Sequence, residues 1–255
     1  KITKDNLTEE TETETKTKTK TKTKTDKEIL EELKSENHKY DFLSTIEYKI
    51  DSKEMKISFC KLNKEEIEQL KIGLRLNKNI EEINFYHNKL GENPEALKEI
   101  LSSIKNYENI KSIIFTFEKL FSIPDNIKIM VNELKENKNL EEITITKDDL
   151  IGNEINNIDL FLNELKEMKN IKRLSLKENK LGNNIKNMIS LSNYLNENNN
   201  LEYLNLENNN LGYDEEENLQ QLVIGLLENK KLKILDLSKN CFDDYNENFM
   251  FLVEN

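Results

Sequence analysis

The side chains with the reactivity for catalysis or metal binding are few in this sequence. His38 and His87 are the only imidazoles, and Cys60 and Cys241 are the only thiols. A zinc site takes four such ligands at defined spacings, and nothing completes a ligand set around Cys60 and His87. A His–Cys catalytic pair also needs an accessible, charge-stabilised thiol and a group that orients the base. The sequence therefore predicts neither a metal site nor a catalytic pair.

Oxygen ligands and glycine loops give no stronger signal. The acidic pairs Asp148-Asp149 and Asp243-Asp244 lack the alternating oxygen ligands around a glycine that a calcium loop requires. The six glycines form no phosphate-binding array, and the pattern G-x-x-x-x-G-K-[ST] is absent from the sequence. We therefore expect a protein that is not an enzyme, with no catalytic residues, no cofactor and no small-molecule substrate.

A repeat dominates the sequence and must position whatever site exists. Apolar residues at positions 1, 4, 6 and 11, with a polar residue at position 9, recur from residues 80, 110, 140, 171, 201 and 232. These starts lie 30 or 31 residues apart, and a degenerate first copy begins at Ser52. A fixed period of about 20–50 residues is typical of solenoids. One complete copy consists of Leu201, Leu204, Leu206, Asn209 and Leu211.

This pattern resembles the leucine-rich repeat family. The long copies with helix-like second halves are most similar to its ribonuclease-inhibitor-like subclass. The resemblance covers about residues 52–255 and implies an α/β fold, a leucine-rich-repeat solenoid (horseshoe) with a parallel concave sheet and convex helices. Positions 4 and 6 of each copy should alternate inward as a short strand, while positions 3, 5 and 7 point outward. Right-handed crossovers would join the copies.

Position 9 is expected to be structural rather than chemical. An asparagine there can bond backbone groups where the chain turns away from the strand, so successive copies should form a buried asparagine ladder. Its expected members are Asn88, Asn179, Asn209 and Asn240. Cys60 occupies this position in the first copy and should point inward, whereas Glu118 and Asp148 depart from the family pattern.

The second half of each copy is typical of an amphipathic helix. In residues 93–107, Asn93 suits the N-cap and Pro94 the first helical position. The expected buried stripe is Leu97, Ile100, Leu101 and Ile104. Three copies carry a glycine directly after position 11, which suggests a turn residue with positive φ. These glycines are Gly91, Gly182 and Gly212.

The two ends of the chain differ from the repeats. Residues 1–25 alternate threonine with glutamate and then lysine, so neither face is apolar and we expect a disordered tail. Residues 26–51 are expected to form an N-terminal cap, followed by a solenoid of about seven repeats at 52–255. The cap should bury Ile29, Leu30, Leu33 and Phe42. At the other end, four apolar side chains either cap the solenoid or belong to a longer repeat protein, and we favour the second interpretation. They are Phe249, Met250, Leu252 and Val253.

The formal net charge of −11 limits the partners. Nucleic acids and anionic membranes attract basic surfaces, so an acidic chain argues against both and favours a partner of basic character. No apolar run approaches the roughly 20 residues of a membrane span. Two cysteines are too few for a disulfide framework. We therefore expect an intracellular, cytoplasmic protein.

The concave sheet is where a partner should bind. Apolar and aromatic side chains gather at outward positions of the first three strands, and exposed aromatic residues are enriched in interface hot spots. The candidate partner-binding residues are Phe59, Tyr86, His87, Ile114 and Phe117. The alternative is that Phe59 and Phe117 pack into the rim of the solenoid.

The expected function is a non-catalytic scaffold that binds another protein or a peptide on its concave face. The family resemblance leaves two alternatives. One is a Ran-type GTPase-activating protein, for which the sequence offers only Arg75 and Arg173 as arginines. The other is a cytoskeletal, tropomodulin-like capping module.

Overall fold

The computed structural model describes residues 25, 28, 42–43, 49, 51–148, 151–152, 157–212, 215–227 and 229–242. The chain separates into two compact units, Lys1–Lys39 and Tyr40–Asn255. In the first unit, the backbone amide and Oγ1 of Thr25 donate to Oε2 of Glu28, at 2.7 and 2.9 Å. The expected tail falls almost entirely outside the described residues. So do most of the expected cap, including Ile29, Leu30 and Leu33, and the C-terminal residues Phe249, Met250, Leu252 and Val253.

The described part of the second unit contains a single parallel sheet of seven strands in chain order. The strands are β1 (Glu54–Ser58), β2 (Glu82–Tyr86), β3 (Ser112–Thr116), β4 (Glu142–Thr146), β5 (Arg173–Ser175), β6 (Tyr203–Asn205) and β7 (Ile234–Asp236). Each strand pairs with the equivalent positions of the next repeat, from Glu54 opposite Glu82 to Asn205 opposite Asp236. The predicted α/β solenoid of the leucine-rich-repeat type is confirmed.

Helices alternate with the strands. They are α1 (Lys64–Leu76), α2 (Pro94–Ile104), α3 (Pro124–Leu134), α4 (Asn157–Leu165), α5 (Ile185–Glu197) and α6 (Glu215–Leu227). Local chemistry sets where they begin. The side chain of Asn63 accepts from the amides of Glu65 and Glu66, and the Glu66 side chain accepts from the Asn63 amide, which completes a capping box. At the start of α2 the side chain of Asn93 accepts from the amide of Ala96, with proline at the first helical position.

The core lies between the sheet and the helices. Positions 4 and 6 of the first six repeats are buried, as at Leu204 and Leu206. The helices bury one face each, and on α2 that face consists of Ala96, Leu97, Ile100, Leu101 and Ile104. Phe85 and Phe115 stack in adjacent repeats with ring centroids 5.5 Å apart. Positions 3, 5 and 7 therefore form the open face of the sheet, opposite the helices.

The asparagines at position 9 bond the backbone from one repeat to the next. Oδ1 of the fully buried Asn209 accepts from the amides of Asn179 and Leu181, at 3.0 and 3.3 Å, and its Nδ2 donates to the carbonyl of Leu176 at 2.8 Å. These groups would otherwise be left without partners where the chain leaves the strand. Equivalent backbone bonds are made by Asn88, Asn179 and Asn240.

Two buried carboxylates continue this ladder between Asn88 and Asn179. Oε1 of Glu118 accepts from the amide and Nδ2 of Asn88, at 2.8 and 3.0 Å, and Oε2 accepts from the amide of Leu90 at 3.0 Å. Asp148 accepts from the amide of Leu120 in the next rung. An ionised carboxylate reproduces the acceptor half of an asparagine but has no donor. Burial raises the pKa of Glu118, and the nearby Asp148 charge acts in the same direction, against the bonds from Leu90 and Asn88.

Two further columns of asparagines bond the backbone, and the sequence analysis did not identify them. The first lies three residues before a repeat begins, where Nδ2 of Asn137 donates to the carbonyls of Ile104 and Tyr107 at 3.1 and 2.9 Å. Its members are Asn77, Asn137, Asn198 and Asn229. The second lies in the first turn of the helices, where Nδ2 of Asn187 donates to the carbonyl of Gly152 at 2.8 Å. Its members are Asn126, Asn157, Asn187 and Asn218. Both columns could have been predicted from the sequence, because asparagine recurs in them at the repeat period.

The prediction of positive φ at the glycines was wrong. No described glycine has positive φ; in the second repeat, for example, the left-handed residues of the turn are His87 at position 8 and Lys89 at position 10, both at 58°. Gly91 is required by a close approach instead. Its amide donates to the carbonyl of Glu118 at 2.8 Å, and a Cβ on Gly91 would lie 1.7 Å from the carbonyl oxygen of Lys119. A Cβ on Gly182 or on Gly212 would likewise collide with the backbone of the next repeat.

Candidate protein-binding surface

Four aromatic side chains meet where the first three strands end. They form the aromatic cluster, which consists of Phe59, Tyr86, His87 and Phe117. The ring of Phe59 lies 5.2 Å from those of Tyr86 and His87, and Phe117 lies 5.9 and 5.8 Å from the same two rings, centroid to centroid. The Tyr86–Phe117 pair is edge-to-face at 89°, an arrangement that aromatic quadrupoles favour. Four of the five predicted partner-binding residues therefore touch one another.

The aromatic cluster is open to solvent. Phe59 is 70 % exposed, His87 is exposed, and Tyr86 and Phe117 are half-buried. Ile114, the fifth predicted residue, is half-buried on β3, opposite Asn84 of β2 and Thr144 of β4. The exposed fraction of Phe59 is inconsistent with a ring that packs into the rim of the solenoid. A contiguous exposed apolar group of this kind is typical of an interaction site.

The backbone at position 8 explains how the cluster forms. Successive side chains of a regular strand point to opposite faces, which would separate Tyr86 at position 7 from His87 at position 8. The left-handed φ of about 57–58° at Phe59, His87 and Phe117 ends the strand and breaks that alternation. Tyr86 and His87 consequently lie on the same side, with ring centroids 6.5 Å apart. Residues other than glycine rarely adopt this conformation, so no pattern of residue types signalled it.

Lysines surround the aromatic cluster. Nζ of Lys56 lies 5.6 Å from the Tyr86 ring centroid, and Nζ of Lys147 lies 5.1 Å from that of Phe117, both within cation–π range. A groove of about 340 Å³ borders the cluster. Its lining residues are Phe59, Cys60, Lys61, His87, Asn88, Lys89, Glu92 and Asn93. The charge beside the cluster is therefore basic, although the whole chain is acidic.

Glutamates occupy the opposite end of the same strands, at position 3. Burial raises the pKa of Glu82, and the charges of Glu54 and Glu142 raise it further. Glu142 also binds Nε of Arg173 at 3.0 Å. The open face thus carries carboxylates where β1, β2 and β4 begin, whereas its lysines lie further along, with Lys56 in the middle of β1 and Lys147 directly after β4.

The two arginines lie on different elements, Arg173 at the start of β5 and Arg75 on α1. The guanidinium of Arg173 binds Glu142 and lies 4.0 Å from the ring centroid of Tyr203. Arg75 lies in the last turn of α1.

The thiol of Cys60 has the properties of a structural cysteine. Its Sγ donates to the carbonyl of Ser58 at 3.2 Å, and burial, followed by the charge of Glu66, raises its pKa. A raised pKa keeps the thiol protonated and weakly nucleophilic. Within the described ranges, His, Cys, Asp and Glu side chains form no group of three or more that could hold a metal ion. No helix in the same ranges is long and apolar enough to cross a membrane.

A row of alternating charges at position 2 is a feature that the sequence analysis missed. The row is Lys53, Glu81, Lys111, Glu141, Lys172, Glu202 and Lys233. Glu81 lies 2.7 Å from Lys111 and 2.8 Å from Lys53, and similar pairs join Lys172 to Glu141 and Lys233 to Glu202. The bonds from Lys111 and then Lys53 lower the pKa of Glu81 to about 2. Opposite charges directly across strands support the observed register.

No protein-family model and no curated protein sequence matches the chain. Among solved structures the chain is similar to "Leiomodin-1 Actin-Binding Site 2 (ABS2)", with 15 % sequence identity and a TM-score of 0.43. That similarity covers 63 % of this chain and 87 % of the other.

Proposed function

We propose that the open, concave face of the solenoid binds another protein or a peptide without catalysis, and that the aromatic cluster is the centre of the interface. The observation that carries the proposal is the exposure of Phe59 in direct contact with Tyr86 and His87. Burying such rings against a partner removes a large apolar area from water at little cost in side-chain entropy.

The surrounding surface suits an extended interface. Seven strands spaced about 4.8 Å apart span roughly 29 Å, which matches one face of a small domain or a peptide of several residues. Ile114 adds apolar surface on β3, and accessible charged side chains such as Arg173 and Lys177 follow in the next repeat but one. An apolar centre with a polar periphery is the usual anatomy of a protein interface.

The proposal extends to the organisation of the chain. In this proposal residues 52–255 form the solenoid, residues 26–51 form its N-terminal cap, and residues 1–25 are a tail that takes no part in the interface. The period of 30 or 31 residues and the α-helical second halves support the ribonuclease-inhibitor-like subclass. A scaffold in the cytoplasm is the setting that fits this assignment.

The test compares two tyrosines on the same face of the sheet. Proteins are captured from the native source in parallel on wild type, Tyr86→Ala and Tyr203→Ala. Mass spectrometry then identifies the proteins that wild type and Tyr203→Ala retain but Tyr86→Ala does not. The affinity of each purified candidate is then measured by calorimetry. Tyr86→Ala should weaken binding by about 2 kcal/mol, roughly 30-fold, which is the scale of an aromatic hot spot.

Tyr203→Ala is the matched control, because Tyr203 lies on β6 and contacts Arg173 rather than the aromatic cluster. Its affinity should stay within about threefold of wild type. Capture of the same proteins by wild type and Tyr86→Ala, with proteins lost only by Tyr203→Ala, would place the interface in the C-terminal half of the sheet. Stimulation of GTP hydrolysis by Ran would instead support the Ran-type alternative.

A further inference from the structure

We infer that the partner presents an acidic peptide segment to the aromatic cluster, with an apolar or aromatic side chain on the rings and a neighbouring carboxylate on Lys61 and Lys89. This inference rests on the proposed function above and specifies the chemistry of its ligand. It differs from the basic partner that the net charge predicts, because lysines outnumber the one glutamate beside the site, Glu92, and that glutamate already binds Lys119.

The groove beside the cluster defines what can enter. Phe59 and His87 form its aromatic side, and Lys61, Lys89 and Glu92 form part of the rest. Its volume of about 340 Å³ is at the lower end of the roughly 300–1,000 Å³ of ligand pockets. A groove of this size suits one anchoring side chain of a peptide rather than a large cofactor.

The lysines at position 10 are not equivalent. Lys119 already binds Glu92 at 2.5 Å. In the part of the chain that the structure describes, Lys61 and Lys89 form no ion pair within 4 Å. Their ammonium groups can therefore bind a carboxylate without first breaking an existing pair, and each hydrogen bond so formed would be charge-assisted.

Two further ammonium groups extend the basic field across the cluster. Lys56 lies over Tyr86 and Lys147 over Phe117, although Lys147 also approaches Glu178 at 3.3 Å. The glutamates of position 3 lie at the other end of the strands. A basic segment on the cluster would face like charges, which is costly at an interface, whereas an acidic segment would meet complementary ones.

A single-stranded nucleic acid is the other anionic ligand that stacks on aromatic rings. It is disfavoured here because a polyanion would extend beyond the lysines into the field of a chain with a net charge of −11. A short peptide with a few carboxylates remains within the basic region. We therefore commit to the peptide.

The experiment selects peptides from a phage-displayed library of random peptides on the full chain. The peptides are about 9 residues long, which is roughly 30 Å when extended. Enriched peptides are synthesised, labelled and measured by fluorescence anisotropy against four proteins. These are wild type, Tyr86→Ala, the double variant Lys61→Glu/Lys89→Glu, and the control Lys98→Glu/Lys128→Glu. Lys98 and Lys128 are exposed on α2 and α3, so the two double variants change the net charge equally. Thermal unfolding checks that every variant is folded, and a labelled oligothymidylate tests the nucleic-acid outcome.

Enriched peptides should combine aspartate or glutamate with a large apolar residue. Lys61→Glu/Lys89→Glu should weaken their binding at least tenfold, Lys98→Glu/Lys128→Glu should stay within about twofold, and wild-type affinity should fall as sodium chloride is added. Enrichment of basic or uncharged peptides, equal effects of the two double variants, or no enrichment at all would overturn the inference. Tighter binding of oligothymidylate than of any peptide would do so as well.

The same data separate the inference from the proposed function. If Tyr86→Ala abolishes peptide binding while Lys61→Glu/Lys89→Glu does not, the aromatic cluster remains the interface and only the acidic chemistry is wrong. If Tyr86→Ala has no effect while the lysine variant does, the aromatic centre of the proposed function is wrong.

Discussion

The two halves of the sheet build the same backbone from different side chains. In β5–β7 the strands have three residues each, and amide side chains bond successive turns through Asn179, Asn209 and Asn240. In β1–β4 the strands have five residues each, and two of the turns are bonded by the carboxylates of Glu118 and Asp148. The register of the sheet continues unchanged from one half to the other.

The open face differs in the same way. Position 8 carries Phe59, His87 and Phe117 in the first three repeats but Asn208 and Lys239 in the last two, although the backbone there is left-handed in both halves. The turn geometry is therefore a property of the repeat, whereas the side chain at position 8 differs from copy to copy. The candidate interface lies in the half that departs more from the regular pattern.

The largest expected change in the free energy of unfolding comes from a substitution in the β5–β7 half. Asn209→Ala removes an acceptor for two amides and a donor to the Leu176 carbonyl in a fully buried site. Leaving buried backbone groups unpaired should lower the free energy of unfolding by roughly 1–3 kcal/mol, as measured by urea denaturation. Asn199→Ala, an exposed position, is the control and should change stability by less than about 0.5 kcal/mol. Equal stability of the two variants would mean that the ladder contributes nothing.

In the β1–β4 half, a substitution is expected to change the free energy of unfolding by a smaller amount and to raise it rather than lower it. Glu118→Asn removes a buried charge and supplies the amide donor that the carboxylate lacks, so it should stabilise the protein at pH 7 by about 1 kcal/mol, the scale of one hydrogen bond. Because burial raises the folded-state pKa of Glu118, its ionisation penalises the folded state. The stability of wild type relative to the variant should therefore be highest below about pH 4.5, which is the ordinary pKa of a glutamate. It should fall as the pH rises through the raised pKa of Glu118 in the folded protein.

Urea denaturation of both proteins from about pH 4 to about pH 7 measures this difference. Glu136→Asn, at an exposed position after α3, provides the matched change of charge and should show no comparable trend. A Glu118→Asn variant that is less stable than wild type at neutral pH would show that the bonds from Asn88 and Leu90 outweigh the cost of burial.

The smallest effect is expected from the charge row at position 2, which is common to both halves. Lys111→Met in the first half and Lys172→Met in the second each remove an exposed ion pair. Each should lower Tm by no more than about 2 °C at low salt, and the difference from wild type should vanish in about 1 M sodium chloride because the Debye length falls to about 3 Å. A change in Tm that persists at high salt would assign these lysines a packing role.

The sequence determined the architecture because the repeat period, the buried positions 4 and 6 and the strand order are all properties of spacing along the chain. A residue such as Leu204 must be inward if Leu206 is, since alternation follows from strand geometry alone. Asn209 was also predictable, because the same side chain recurs at the same point of several copies.

The remaining features were decided by backbone torsion and by contacts between repeats. The left-handed φ of His87 places Tyr86 and His87 on one side, although a strand pattern would separate them. Gly91 is set by the Lys119 carbonyl of the next repeat rather than by its own φ. The basic surroundings of the aromatic cluster arise because lysines from several repeats converge there, against the net charge of the chain. Each of these depends on backbone torsion or on the distance between repeats, neither of which is encoded in the spacing of residue types.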